Sequence, residues 1–325
     1  MEHNHEENIK KEFEKAEGLP INKVTDLGKV KPSSVRNKIT ADDPEIKRIN
    51  EITGHQRINL SLLPSGGKFY RSDFELFIRA ARVGEIREFS TLNEQDIRDV
   101  DDKLNSIVSN CTKIMYGSQR GSYKDILEED RVFVILSIKE LTFKNGEQKL
   151  MMPVTKKSCK NSSCKSQKSV ELKTDMLQFE KVKDTVEKYY DHEYKCYNIR
   201  TKNHGNILMA PPTIGVMRAI TDFAREKEKE GASWDKSILS VLPYLQRDWR
   251  ECNDKSIFKA MTSLQGWNTS KYSIVYRLAE QMKVGVKIEM NFPCNSCGDE
   301  VTVPLTFPGG VKSLFIIQDI SSELL

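Results

Sequence analysis

VKIEMNFPCNSCGDEVTVPLTF, residues 286–307, alternates apolar and polar side chains on both sides of a cysteine pair. Such alternation is typical of half-buried strands. Cys294 and Cys297 have two residues between them and are followed by Gly298, which favours the tight turn that paired metal ligands need. The stretch therefore predicts a β-hairpin whose turn offers two thiol ligands.

A second cysteine pair, near the middle of the chain, has a similar setting. Cys159 and Cys164 have four residues between them, and short apolar segments at 151–154 and 170–172 flank them as candidate strands. Structural zinc takes four Cys or His ligands near tetrahedral geometry, commonly as two such pairs. We therefore predict a zinc ribbon with a structural zinc ion, whose ligands are Cys159, Cys164, Cys294 and Cys297.

The cysteine pattern leaves one alternative open. The two pairs could be unrelated reduced thiols, because they lie far apart in the sequence. Cys196, four residues after His192, is the substitute if one proposed ligand fails, whereas Cys252 has no partner at ligand spacing and Cys111 lies on an apolar helix face. A site with four thiolate ligands has no open position for water or substrate, so the expected metal is structural and not catalytic.

Composition excludes several classes of protein. The 325 residues include 51 Lys+Arg and 47 Asp+Glu, a net charge of +4, so the chain is neither polybasic nor polyacidic. The longest apolar runs, 132–136 and 314–317, are far shorter than the ~20 residues of a membrane-spanning helix, and no membrane span is expected. The N-terminus lacks the basic and apolar regions of a secretory signal. We expect a reducing cytoplasm, in which cysteines serve as thiols or ligands.

The chain divides into four segments. Residues 1–57 hold eleven basic and eleven acidic side chains and one aromatic residue, Phe13, and so predict an extended N-terminal arm, either a flexible tail or an arm that orders against a partner. Residues 58–178 are expected to form an α/β core with the first cysteine pair. Residues 179–284 are expected to form a mainly helical insertion, and residues 285–325 the second pair with its strands and a C-terminal tail.

Hydrophobic periodicity predicts the main elements of these segments. The apolar run at 74–78 predicts a strand, and apolar residues at helical spacing from Ile97 to Met115 predict a long helix after a capping box at Thr91 and Glu94. Further helices are expected at 124–141, from Ile214 onward, and at 236–245, 255–264 and 271–282. The predicted fold class is α+β: a mixed α/β core with a four-cysteine zinc ribbon, a helical insertion and an extended N-terminal arm.

The C-terminal tail contains a run of four apolar residues with two alternative roles: Leu314, Phe315, Ile316 and Ile317. The run is either a buried strand of the protein's own sheet or a partner-binding segment that adds to the edge of a neighbour's sheet. Exposure of the run without a partner would invite aggregation.

Motifs for catalysis are missing from the sequence. Ser65-Gly66-Gly67-Lys68 lacks the first glycine and the final hydroxyl residue of a phosphate-binding loop. Asp191-His192-Glu193, which follows Tyr189-Tyr190, is either a small titrating cluster or a solvated turn. We therefore expect no enzymatic activity and no small-molecule substrate.

Lysines around the first cysteine pair form a local basic patch: Lys156, Lys157, Lys160, Lys165 and Lys168. Zinc ribbons with such patches bind nucleic acid, so a zinc-ribbon nucleic-acid-binding protein is the alternative function. The patch lacks interleaved aromatic residues for stacking on bases, and nucleic acid is not the expected partner. An enzyme of unrecognised type is the third hypothesis.

Four features of the chain occur together: LPSGGKFY at 63–70, the helix after Thr91, Asp130-Arg131 at the start of an apolar helix, and the strand-flanked cysteine pair. In this combination the chain resembles the baseplate hub assembly proteins of T-even-type contractile-tailed phages, over about residues 58–310. The spacing of the first cysteine pair and the long arm depart from the family pattern. The resemblance implies a non-enzymatic structural or assembly protein of the tail baseplate. Its partners would be other baseplate and tail proteins, in the host cytoplasm during assembly or in the virion tail.

Overall fold

The structure is a computed structural model that describes residues 54–144, 148–160, 164–165, 167–231 and 235–316. All of these residues belong to one unit of the chain, 39–325. Residues 1–53 of the predicted arm, and Ile317 of the C-terminal apolar run, lie outside the described residues. In the part of the chain that is described, no helix is both long enough and apolar enough to cross a bilayer.

The described residues combine many short strands with longer helices. The strands are β1 (Gln56–Arg57), β2 (Phe74–Ile78), β3 (Thr112–Tyr116), β4 (Gln119–Arg120), β5 (Met151–Pro153), β6 (Lys156–Lys157), β7 (Ser169–Glu171), β8 (Phe179–Glu180), β9 (Tyr190–Asp191), β10 (Cys196–Thr201), β11 (Gly205–Met209), β12 (Gly285–Val286), β13 (Glu289–Pro293) and β14 (Glu300–Pro304). The α-helices are α1 (Val83–Ser90), α2 (Ile97–Cys111), α3 (Glu128–Thr142), α4 (Asp184–Glu187), α5 (Ile214–Lys229), α6 (Lys236–Leu245), α7 (Asp254–Gln265) and α8 (Thr269–Gln281). This mixed content confirms the predicted class.

An antiparallel sheet in the order β1-β2-β3-β4 forms one side of the main core. Strand β2 covers the residues predicted as a strand, and it pairs with β3 so that Leu76 lies opposite Ile114. Strand β1 pairs with β2 through Gln56 and Arg57. The last two residues of the predicted arm therefore belong to this sheet.

Helix α2 is shorter at both ends than the periodicity predicted. Its N-cap is Asp96, whose side chain accepts a hydrogen bond from the backbone N–H of Arg98 at 2.9 Å, and not Thr91. The helix ends at Cys111 because residues 112–116 form β3 between β2 and β4. Ile114 and Met115 also fit the helical spacing, but they belong to a strand. Pairing with two strands satisfies the backbone hydrogen-bonding groups of this segment as well as a helix would.

Helix α3 lies at the centre of the main core. Phe133, Val134, Ile135, Leu136 and Ile138 are all buried, so the helix is apolar on nearly every side and has to be enclosed by other elements. It packs against α2, α5, β2 and β12. The helix begins later than predicted because a separate 3-10 turn, capped by a neighbouring serine, occupies the preceding residues.

The insertion contains the four helices predicted for it, α5 to α8, and also a three-stranded sheet in the order β11-β10-β9. It is therefore less helical than the sequence suggested. Its apolar side chains form two clusters apart from the main core, one around Tyr197 and Val275 and the other around Phe223 and Met261.

The C-terminal apolar run packs into the protein's own core. Leu314 and Phe315 are only 2% and 1% exposed, and the ring of Phe315 meets that of Phe89 edge to face at 5.1 Å between centroids. A 3-10 helix, Val311–Leu314, ends at the first residue of the run, and Phe315 follows it as the C-cap, so the described part of the run does not form the expected strand. Side chains buried in this way offer no surface to a partner, so the partner-binding prediction is corrected for Leu314 and Phe315. Ile316 is half-buried.

Side chains from distant elements hold both ends of this 3-10 helix. Glu94 accepts a hydrogen bond from the backbone N–H of Lys312 at 2.8 Å. The Gln148 amide donates to the carbonyl oxygens of Ser313 and Ile316 at 2.8 and 2.6 Å. Such capping satisfies backbone groups that a 3-10 helix leaves unpaired, which explains why the segment needs no neighbouring strand.

Candidate metal centre

The four cysteines predicted as ligands lie together at one edge of the sheet β13-β14-β6. Cys294 and Cys297 lie in the turn between β13 and β14, as the alternating pattern predicted. Cys159 follows β6, which pairs with β14, and Cys164 precedes β7. The ribbon arrangement therefore brings both pairs to the same place, although the helical insertion separates them in the chain.

The sulfur atoms are close enough to share one ion. All four lie within 4.8 Å of one another. The Sγ atoms of Cys164 and Cys294 are 3.7 Å apart, which is far longer than the ~2.05 Å of a disulfide bond. A Zn–S bond of about 2.3 Å places the sulfur atoms of a tetrahedral site about 3.8 Å apart. The geometry fits four ligands around a single metal ion.

Hydrogen bonds within the second pair's turn shape it as a knuckle. The backbone N–H of Gly298 donates to the carbonyl of Cys294 at 2.8 Å, and the N–H of Cys294 donates to the carbonyl of Asp299 at 2.6 Å. Gly298 has a φ of 78°, a left-handed conformation that favours glycine. Hydrogen bonds of the backbone therefore close the turn.

Polar contacts also join the two cysteine loops to each other. The Asp299 carboxylate accepts hydrogen bonds from the backbone N–H of Lys160 at 2.9 Å and from the thiol of Cys297 at 3.5 Å. The Ser296 hydroxyl donates to the carbonyl of Lys165 at 2.9 Å. These contacts hold the ligands near their positions. The contacts of Lys160 with Asp299 and of Lys165 with Ser296 join residues from opposite ends of the insertion, so no local sequence pattern predicted them.

The surroundings of the thiols favour ionisation at one of them. Backbone N–H groups facing the Cys294 sulfur, that of Ser296 above all, lower the pKa of this thiol to about 6. Hydrogen bonding with Cys297, followed by burial, raises the pKa of Cys164 to about 12. Because metals bind thiolates, the lowered pKa of Cys294 suits it as a metal ligand.

The other cysteines lie apart from this group. Cys111 and Cys196 are buried and Cys252 is half-buried, and none of the three belongs to the cysteine cluster found among the described residues. Cys196 is therefore not needed as a substitute ligand. The four-cysteine set stands as predicted, and its chemistry allows one bound metal ion.

A second buried polar cluster joins two motifs that the sequence places 60 residues apart. Asp130, fully buried in α3, accepts hydrogen bonds from the backbone N–H and hydroxyl of Ser65 at 2.8 and 2.6 Å and from the Tyr70 hydroxyl at 2.7 Å. Tyr70 in turn accepts from the N–H of Leu127 at 3.0 Å. The glycine-containing segment that resembles a phosphate loop is therefore a structural turn fastened to the start of α3.

The carboxyl group of Glu129, next to this cluster, is shielded from solvent. Glu129 is contacted by the hydroxyl of Tyr244, and its buried Oε2 atom has no hydrogen-bond partner in the described part of the chain. Burial raises the pKa of Glu129 to about 8, and the charges of Asp130 and Glu128 act in the same direction. Burial also raises the pKa values of Glu128 and Asp130.

We expect the stability of the protein to fall as the pH rises from about 5 to about 8. The unfolded Glu129 carboxyl ionises near pH 4.3, whereas the folded one keeps its proton up to about pH 8, so its contribution is complete at low pH and is lost as the pH rises through that range. Each pKa unit corresponds to about 1.4 kcal/mol. Urea unfolding at several pH values measures this slope.

The control separates Glu129 from its two neighbours, which contribute with the same sign. Glu129→Gln should flatten the pH dependence, while substitution of the exposed Glu226 by glutamine should leave it unchanged. An unaltered slope in Glu129→Gln would show that Glu129 is ionised in the folded protein.

The residues Asp191-His192-Glu193 form a turn at the end of β9. Asp191 accepts hydrogen bonds from the backbone N–H groups of Glu193 and Tyr194 at 3.0 and 3.1 Å, and His192 and Glu193 are exposed. The solvated-turn interpretation fits this geometry. The turn borders an open cleft, which the sequence did not predict.

Comparison with known proteins gives the chain no relative. No protein-family model, curated protein or solved structure matches it. The fold and the site define a mixed α/β protein with a four-cysteine site able to hold a metal ion.

Proposed function

We propose that the four cysteines hold a structural zinc ion. Four thiolates suit zinc or an iron–sulfur cluster, and sulfur atoms within 4.8 Å of one another leave room for one ion and not for several. The 3.7 Å between the Cys164 and Cys294 sulfurs agrees with the edge of a zinc tetrahedron. The ion would fasten the hairpin β13–β14 to the segment that follows β6.

We propose further that the protein is a non-enzymatic assembly component of a contractile phage tail baseplate, and that it acts through protein contacts. The observation that supports this most is the contact of Ser65 and Tyr70 with Asp130. LPSGGKFY and Asp130-Arg131 are two of the features that carry the resemblance to the baseplate proteins, and they form one buried unit. A metal bound by four thiolates would support the fold without taking part in a reaction.

Capture of partners from infected cells tests this proposal. The tagged full-length chain, washed at about 1 M salt to screen charge-only contacts, is expected to retain tail baseplate proteins that mass spectrometry identifies. Tagged Cys294→Ser, which should lose the metal, is the matched control and should retain them poorly. Recovery of no tail protein by the zinc-loaded chain would refute the assembly role.

The zinc-ribbon nucleic-acid-binding protein remains the second candidate, because the five lysines around the first cysteine pair are all exposed. Lys156 lies 3.2 Å from Glu289, which offsets part of this charge. Partners that are released by nuclease or by salt below about 0.2 M would favour this candidate, since phosphate contacts weaken steeply with salt.

A further inference from the structure

An open cleft of about 440 Å³ lies beside β9 and β10 in the insertion, away from the cysteine loops in sequence. Two cations, Lys188 and Arg200, line it together with the aromatic side chains of Tyr189 and His192 and the amide of Asn198. The cleft thus combines positive charge with aromatic rings, the combination that the lysine patch around the cysteines lacks.

The cations of this cleft have no acidic partner among the described residues. Lys188 lies over the ring of Tyr189, 5.0 Å from its centroid, and Arg200 projects from β10 at an exposed position. Neither is joined in an ion pair within the described part of the chain. Asp191 lines the same cleft, but its Oδ1 atom accepts from two backbone N–H groups of its own turn.

In a second cleft, of about 400 Å³ near Trp249, the arginines of the lining are joined in ion pairs. There Arg218 is paired with Asp102 at 2.6 Å and Arg250 with Asp125 at 2.8 Å. Both arginines of that cleft are paired within the protein, and of the cations in its lining only Lys124 has no ion pair among the described residues, whereas both cations beside β9 are available to a ligand.

Exposed aromatic side chains complete the cleft beside β9. Tyr189 is 36% exposed, His192 is exposed, and Tyr194, two residues further on, is 53% exposed. The half-buried side chain of Asn198 adds polar surface to the lining of the cleft.

We propose that this cleft binds single-stranded nucleic acid. Lys188 and Arg200 would contact two phosphates, and the exposed rings of Tyr189 and His192 would stack on bases. A duplex hides its base faces, and so it cannot use these rings. Binding of a single strand would be a property beyond the assembly role proposed above, and it would make nucleic acid a partner, contrary to the expectation from the sequence.

The salt dependence of binding distinguishes this cleft from the lysine patch. For single strands the slope of log K against log salt is about −0.7 per phosphate contact, so two contacts predict a slope of about −1.4. Binding through the five lysines around the cysteines would give a slope of about −3.5. The slope measures the number of phosphate contacts, and it therefore shows whether the cleft or the lysine patch binds the strand.

The experiment uses the full-length, zinc-loaded chain and a fluorescent oligonucleotide of mixed sequence, about 12 nucleotides long, at salt from about 50 to 200 mM. Tyr189→Ala should weaken binding at least about fivefold, and Tyr189→Phe should restore it. Arg200→Gln should reduce the slope to about −0.7, whereas Lys202→Gln, an exposed hairpin cation outside the cleft lining, should leave it unchanged. Zinc content and melting temperature establish that each variant is folded.

Each other outcome overturns the proposal. A slope near −3.5 that Lys157→Gln and Lys165→Gln reduce would assign binding to the cysteine loops. Equal affinity for polyglutamate would show that the cleft takes any polyanion, and equal affinity for duplex DNA would exclude stacking. Absence of binding at about 50 mM salt would remove the site altogether, without any bearing on the recovery of baseplate proteins.

Discussion

Cys294→Ser is expected to abolish metal binding by the four cysteines and to destabilise the fold more than any other single substitution at the site. Cys294 is the only buried member of the four, at 3% exposed, and its thiol has the lowered pKa. Structural zinc contributes on the order of 10–16 kcal/mol in small zinc-binding peptides, which is comparable to the roughly 5–15 kcal/mol stability of a typical domain. Metal analysis and thermal unfolding of the variant measure both effects.

The matched control for this prediction is Cys252→Ser. Cys252 is half-buried, and its thiol donates only a weak hydrogen bond, 3.4 Å long, to the carbonyl of Asp248. This variant should keep the metal and most of its stability. Full stability of Cys294→Ser in the presence of a strong chelator would show that the fold does not depend on the metal.

Deletion of residues 312–325 is expected to give an unfolded or insoluble product. The deletion removes Leu314 and Phe315 from the main core and leaves the side chains of Glu94 and Gln148 without their partners. Truncating one buried phenylalanine alone costs about 3–5 kcal/mol. Solubility, circular dichroism and zinc content of the product measure the effect.

A chain that stops after Ile316 is the matched control, because it retains the 3-10 helix and the contacts at its ends. It should remain soluble and bind zinc. If the longer deletion were also soluble and zinc-loaded, Leu314 and Phe315 would not be needed for the core. Loss of assembly alone in that product would restore the partner-binding role.

Local patterns in the sequence predicted the elements whose partners lie nearby. The alternation on both sides of Cys294 and Cys297 identified the hairpin β13–β14, because the turn and both strands are adjacent in the chain. The helices of the insertion were also predicted, because 10 to 16 consecutive residues are enough to show an amphipathic face.

Features that depend on distant residues could not be read in this way. Residues 112–116 became a strand because β2 was available to pair with them, which no local window contains. Asp130 looked like an acidic residue in the first turn of a helix, yet Ser65 and Tyr70 bind it in the core. The C-terminal run was ambiguous for the same reason, since Glu94 and Gln148 decide its conformation.

The separation of the two cysteine pairs determines how soon the four-cysteine site can be assembled during synthesis. Cys164 and Cys294 are 130 residues apart, and at about 5–20 residues per second a ribosome needs about 6–26 s to add that length. During this interval the chain contains only two of the four cysteine ligands, while the insertion has time to fold. Closing so long a loop carries an entropic cost that rises slowly with length, and metal capture can offset it once the second pair emerges. Capture of an ion would then join the segments before and after the insertion in the newly made chain.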